Sequence, residues 1–267
     1  MVLDYDKLMA WKFAEIEQSY DWRDTVIYAL GIGLGDEPTN PEQLRFVYEK
    51  NLLALPTMAS VLGNPGPWFK DSETGIDWSR SLHGEQQIII HKTLPPKGRI
   101  IARNRVAELL DKGEKGAIIK VERTISDAED GSLFSTMVKT DFCRGVGGFG
   151  GPPGTPPSPQ PAPDRQPDFI CDLPTVAQSA LIYRLSGDAN PLHADPEAAT
   201  KAGFERPILH GLATFGMAGH AILRTCCGYD PQRITRLQVR FTTPFFPGET
   251  LRTEIWQDGQ RLTFRAL

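Results

Sequence analysis

Asp188 and His193 are the residues of this chain whose types and spacing point most directly to acid/base chemistry. They lie in the stretch Tyr183 to His193, reading YRLSGDANPLH, and Leu209-His210-Gly211 follows, its histidine seventeen residues after His193. Five residues is the wrong separation for one face of a helix, where neighbours sit three or four apart. Gly187 loosens the backbone and Pro191 pushes Asn190 toward an extended conformation, so the spacing predicts a tight, preformed loop. Such a loop can turn a carboxylate and an imidazole toward one point, where together they hold a water and move its protons. The same letters also read as ordinary turn chemistry, with Asp and Asn capping backbone amides and Pro fixing φ.

The flanking elements must position that loop. Asp195-Pro196-Glu197 starts a helix by its grammar, with Asp at the N-cap, Pro at the first position and Gly203 past the end. A second helical run, LATFGMAGHAILRTCC, follows Gly211 and stops at Gly228. Its first turn offers unpaired N–H groups and the positive end of a dipole, and Gly211 leaves such an N–H open to a developing oxyanion. Gly216 and Gly219 read equally as sites of close packing or of close approach by a ligand.

YRLSGDANPLH together with PILHGLATFG resembles the hydratase-2 motif of MaoC-like dehydratases, the (R)-specific enoyl-CoA hydratases. The wider chain is similar to the hydratase domain of the peroxisomal multifunctional enzyme type 2, from RDTVIYALGIGLG through LHGEQ, LLDKG and GVGGFGG to RFTTPFFPGETL. That resemblance implies an α+β double hot-dog fold, two antiparallel sheets each around a helix, with the first helix reduced. It also implies reversible hydration of trans-2-enoyl-CoA to (R)-3-hydroxyacyl-CoA. Asp188, His193, Asn190 and Gly211 are then the catalytic set. His83, Gly84, Lys112, Ala189, Pro191, Leu192 and Phe241 are expected to contact the thioester ligand. Coenzyme A enters as part of the substrate; no separate cofactor and no metal is expected.

Composition narrows the partners. The chain has 267 residues, 40% of them hydrophobic, and a net charge of −4, so it can bury a substantial core and carries no global basic field for nucleic acid. No apolar run is long enough to span a membrane. Four cysteines, Cys143, Cys171, Cys226 and Cys227, have neither CxxC nor metal spacing and read as buried thiols of a reducing compartment. The polar start of the chain and its Arg265-Ala266-Leu267 end carry no secretory or peroxisomal signal, so a cytoplasmic enzyme, possibly a homodimer, is expected.

Eight prolines between Pro152 and Pro167 divide the chain. The expected organisation is an acyl-binding unit over 1–145, a mobile linker over 146–168, and a catalytic unit over 169–267. GVGGFGG is not a dinucleotide fingerprint, because prolines follow where a helix should begin. Leu82-His83-Gly84 recurs as Leu209-His210-Gly211, and HKTLPPKGRI resembles FTTPFFPGETLR, which suggests two related units. Only the second carries the acid/base loop. Without a helix after His83-Gly84, the first unit's apolar face through Ile88 and Ile90 is expected to take a medium or long acyl chain. Three rival readings remain: a thioesterase or carrier-protein dehydratase on the same fold, a metal cluster drawn from Asp188, His193, Asp195, His210 and His220, and a non-catalytic acyl-carrier module.

Overall fold

Alternating apolar and polar residues make Gly98–Asp111 (β3), Ala117–Asp127 (β4) and Leu133–Cys143 (β5) three long neighbouring strands, with Ile100, Ile119, Ile125 and Met137 turned into the core. The Asp130-Gly131 pair closes the last hairpin, with Gly131 at φ +71°. This is a computed structural model, which describes residues 3–157 and 160–267.

The first half begins with α1 (Tyr5–Met9), β1 (Ile16–Tyr20), α2 (Trp22–Gly31) and α3 (Pro41–Val47), and β2 (Ser81–Ile90) precedes β3. α2 starts at a capping box in which Asp21 and Asp24 satisfy one another's backbone amides. The second half holds β6 (Phe169–Pro174), α4 (Ser179–Tyr183), α5 (Pro196–Lys201), α6 (Gly211–Cys226), β7 (Arg236–Arg240), β8 (Thr250–Asp258) and β9 (Arg261–Ala266). One antiparallel sheet runs β1-β3-β4-β5-β2-β7 and the other β6-β8-β9. The strand β7 thus leaves its own half and pairs with β2, which joins the halves through backbone hydrogen bonds. The final segment RLTFRAL pairs with β8 across the Asp258-Gly259 turn and forms an edge of its sheet.

The helix α6 packs against β6, β8, β2 and the 3-10 turn Pro56–Val61. Phe215, Met217 and Leu223 on it are fully buried, each contributing about 1.5–3 kcal/mol of apolar burial. Its glycines serve packing. A Cβ on Gly216 would meet Ile32 at 2.7 Å and the Tyr28 hydroxyl at 2.9 Å, and one on Gly219 would meet Thr57 at 2.9 Å.

After Leu82-His83-Gly84 the chain stays in β2, bulged between His83 and Glu85, so the first half has no counterpart of α6. Its sheet is covered instead by the turn Pro56–Val61 and by Leu62. The Arg123 guanidinium fastens this cover, donating to the carbonyls of Leu62 (2.7 Å) and Ser60 (3.3 Å). Ile88 is fully buried in this core, which corrects the expectation of an open apolar face there.

The described residues of the proline-rich segment expected as a linker lie as a strap along both halves; Ser158 and Pro159 lie outside the described residues. Asp111 accepts the amides of Gly113, Gly148 and Gly150, and these bonds, Gly148 foremost, hold its carboxyl below the usual range. Pro153 bridges to Asp111, Arg240 donates to the Pro157 carbonyl, and Trp256 Nε1 donates to Arg165. Proline removes donors, so a segment of this kind is held through its carbonyls and by side chains.

Candidate active site

The loop between α4 and α5 is built by its own short side chains. Gly187 takes the left-handed conformation at φ +110°, which ends the turn Arg184–Ser186 and reverses the chain. Asp188 Oδ1 accepts the Asn190 amide at 3.1 Å, and Asn190 Oδ1 accepts the Leu192 amide at 3.1 Å, capping the turn Pro191–His193. Asn190 therefore holds the loop through its side chain. His193 is 8% exposed, and its Nδ1–H donates to the Ile208 carbonyl at 2.9 Å. This bond fixes the tautomer and leaves Nε2 as an acceptor.

His210, just before α6, completes the cluster. Its ring stacks on His193 at 3.8 Å and 27°, and the Tyr183 ring lies 5.0 Å from it, tilted by 48°. Its Nε2–H donates to the Asp188 backbone carbonyl at 3.1 Å. Burial, with the adjacent His193, pushes His210 down to about 4, and burial also lowers His193 below its ordinary value. Both imidazoles are therefore neutral near pH 7. Side-chain donor or acceptor atoms of Asp188, His193 and His210 all lie within 4.8 Å of one another. Two hydrogen bonds of about 2.8 Å span that distance, so one water can bridge the carboxylate and the His193 imidazole.

Among the described residues no side chain caps α6; its Ala213 and Thr214 amides are taken by the His210 carbonyl, which leaves those of Gly211 and Leu212, both lining the site, without an acceptor. A cavity of about 720 Å³ opens in front of them. His83, Gly84, Asp188, Asn190, Leu192, His193, Gly211 and Phe241 all line it. Phe241 joins the halves: its amide donates to Gly84 at 2.9 Å, its ring meets His83 at 4.9 Å, and it would touch a Cβ on Gly211 at 3.4 Å.

Other expected contacts fall elsewhere. Lys112 sits at the β3–β4 turn and donates to Thr155 of the strap, and Ala189 and Pro191 form the loop without lining the cavity. Among the other histidine and aspartate candidates for a metal cluster, Asp195 caps α5 and His220 donates to Ile32 at 3.3 Å, both away from the cluster. The sequence marked His210 in the Leu-His-Gly repeat and among the candidate metal ligands, but not its stacking on His193, which follows from two segments meeting in space.

A double hot-dog fold with the Asp188–His193 loop beside a helix N-terminus defines the class. Residues 158–266 match the MaoC like domain, and residues 18–145 match the MFE-2 hydratase 2 N-terminal domain. The peroxisomal enoyl-CoA hydratase 2 of Arabidopsis thaliana is 41% identical, over 97% of this chain and 89% of its own. The mouse peroxisomal multifunctional enzyme type 2 is 36% identical, over 95% of this chain and 35% of its own length. A MaoC-like dehydratase structure from Phytophthora capsici superposes with a TM-score of 0.85 at 33% identity, covering 99% of this chain and 93% of that one. The chain belongs to the MaoC-like hydratase 2 family.

Proposed function

We propose that this protein is a lyase that reversibly hydrates trans-2-enoyl-CoA thioesters to (R)-3-hydroxyacyl-CoA. The observation that carries the reading is the convergence of Asp188, His193 and the open amides of α6 on one cavity. The (R) outcome and the thioester substrate are supported by relatives named enoyl-CoA hydratase 2 and 3-hydroxyacyl-thioester dehydratase.

In the hydration direction a water bridges Asp188 and His193 Nε2. Its oxygen bonds to C3 as the pair takes a proton, and the C2–C3 π electrons move toward the thioester carbonyl. The Gly211 amide and the helix dipole stabilise the enolate oxygen. The pair then returns a proton to C2, so the elements of one water are added and the enzyme is restored. The two groups act as a unit, and the proton is shared between them rather than owned by one.

The same proposal includes a metal-free reaction, medium and long acyl chains, and a reducing compartment such as the cytoplasm, for which the four free thiols are the support. A homodimer is included because β6 is an edge strand with unpaired backbone on one side. The test is hydration of crotonyl-CoA and longer enoyl-CoA esters, with the product's chirality read and EDTA present. The proposal requires (R) product and unchanged rates in chelator. Release of free thiol would instead make the protein a thioesterase, activity only on carrier-bound enoyl groups would make it a carrier-protein dehydratase, and loss of activity in EDTA would favour the Asp188–His193–His210 metal reading.

A further inference from the structure

The inner face of the first half is not uniformly apolar. Ile88, Ile100, Ile125 and Met137 belong to the main core, while Val106, Leu109, Ile119 and Val121 form a separate cluster with Leu3 and Leu8. The cavity lies over the band between them. Neither Ile88 nor Ile90 lines it; Gln86, Arg123, Met137, Lys139 and Asp141 do. By register, Lys139 stands opposite Gln86 and Val121, and Asp141 opposite His83 and Ile119.

Lys139 Nζ lies 3.0 Å from Asp141 Oδ1, and the Asp141 side chain is only 4% exposed. Its Oδ2 is buried without a hydrogen-bond partner among the described residues. Burial pushes the Asp141 carboxyl up while Lys139 pulls it back. Arg123 is already committed to the cover, whereas Lys139 has two further N–H groups and is 42% exposed, toward the cavity it lines. A buried ion pair is often no more stable than apolar residues of the same volume. The sheet does not need charges at these positions, and a methylene chain laid over them would desolvate Lys139 and satisfy neither ion.

We propose that Lys139 and Asp141 are specificity-determining residues that select acyl groups carrying a hydroxyl along or at the end of the chain. This rests on the reading of Asp188 and His193 as the thioester end of the cavity. A hydroxyl fits this pair of opposite charges: it can accept from Lys139 Nζ, the half that is open to the cavity, and it brings no net charge against Asp141. A chain carboxylate would be repelled by Asp141, and an ammonium by Lys139 and Arg123. The route from the reacting carbons runs past Gly211, Phe241 and His83 to Asp141, so the recognised oxygen is remote from C3.

The experiment compares trans-2-octenoyl-CoA and trans-2-decenoyl-CoA with their ω-hydroxy counterparts, on the full chain and on Asp141→Asn, Lys139→Met and the Lys139→Met/Asp141→Leu double variant. The readout is the ratio of kcat/KM for hydroxylated over plain chain, in which any general loss cancels. The wild type is expected to favour a hydroxylated chain by about tenfold or more, since the matched site otherwise leaves buried polar groups unpaired. The single variants should lower the ratio and the double variant invert it, with a Tm no lower than wild type. Wild-type preference for the plain chain at both lengths, or a ratio unmoved in the double variant, would overturn the proposal. So would a KM rise for crotonyl-CoA equal to that for the hydroxylated chain, which would make Lys139 a coenzyme contact. Calorimetric affinities for decanoyl-CoA and ω-hydroxydecanoyl-CoA read the same preference without turnover. Retained hydroxyl preference with no hydration would therefore count against the reaction and for this site.

Discussion

Leu82-His83-Gly84 and Leu209-His210-Gly211 are one tripeptide used in two ways, and both face the same cavity. In the second half Gly211 opens α6, so the Gly211 and Leu212 amides after the histidine have no backbone acceptor and, on the proposed reaction, can meet the charge that forms. In the first half the chain continues as β2, whose backbone is taken up by β5 and β7. Only side chains are left there to address a ligand. The second copy thus offers backbone chemistry at a reacting carbonyl, and the first offers a wall of side chains. On the proposed reading one copy reacts and the other recognises.

The comparison breaks most visibly at the two glycines. Proline at the first position of a helix is tolerated because that amide has no intrahelical partner. Gly211→Pro should therefore leave α6 formed while removing an oxyanion donor, lowering kcat by about 10²–10³. Gly84→Ala, whose Cβ would rest 3.5 Å from the Thr140 carbonyl, should change kcat far less. Equal losses in steady-state kinetics would erase the distinction between the copies.

A smaller effect sharpens it through α6, the helix that only the second half possesses. His220 is fully buried on that helix, and burial pulls its pKa down to about 4. A histidine depressed in the folded state contributes stability above its unfolded pKa near 6.5 and loses it as pH falls through the folded value. Urea unfolding should show stability declining between pH 6.5 and about 4, by an amount on the order of 3 kcal/mol for this residue. His220→Asn should flatten that decline. An unchanged slope would mean that the pH dependence arises elsewhere, with His210 the next group to test.

Much of this architecture was legible in the residues. Glycine and proline spacing announced the loop, Asp195-Pro196 the start of α5, and Asp-Gly pairs two hairpins, because these signals are local. What could not be read was long-range. The docking of the strap depends on Asp111 reaching glycines nearly forty residues away, and the stacking of His210 on His193 depends on two loops meeting. The transfer of β7 to the first sheet is likewise a tertiary choice. The resemblance placed Lys112 among the thioester contacts, and in the fold it stands at a turn beside Thr155, outside the cavity lining. The polar band was half visible: Met137, Lys139, Asp141 and Cys143 alternate onto one face, and Met and Cys mark that face as inward. Charges on such a face signal a lined cavity, and here the cavity lies over Met137, Lys139 and Asp141 and not over Ile88.

The central claim is that Asp188 and His193 move protons as one unit. Asp188→Asn, His193→Gln and their combination should be compared in crotonyl-CoA hydration, with circular dichroism confirming the fold of each. Each single change should lower kcat by at least about 10²–10⁴, and the double change should cost little more than either alone. Near-normal turnover in either single variant, or losses that multiply in the double, would contradict the account.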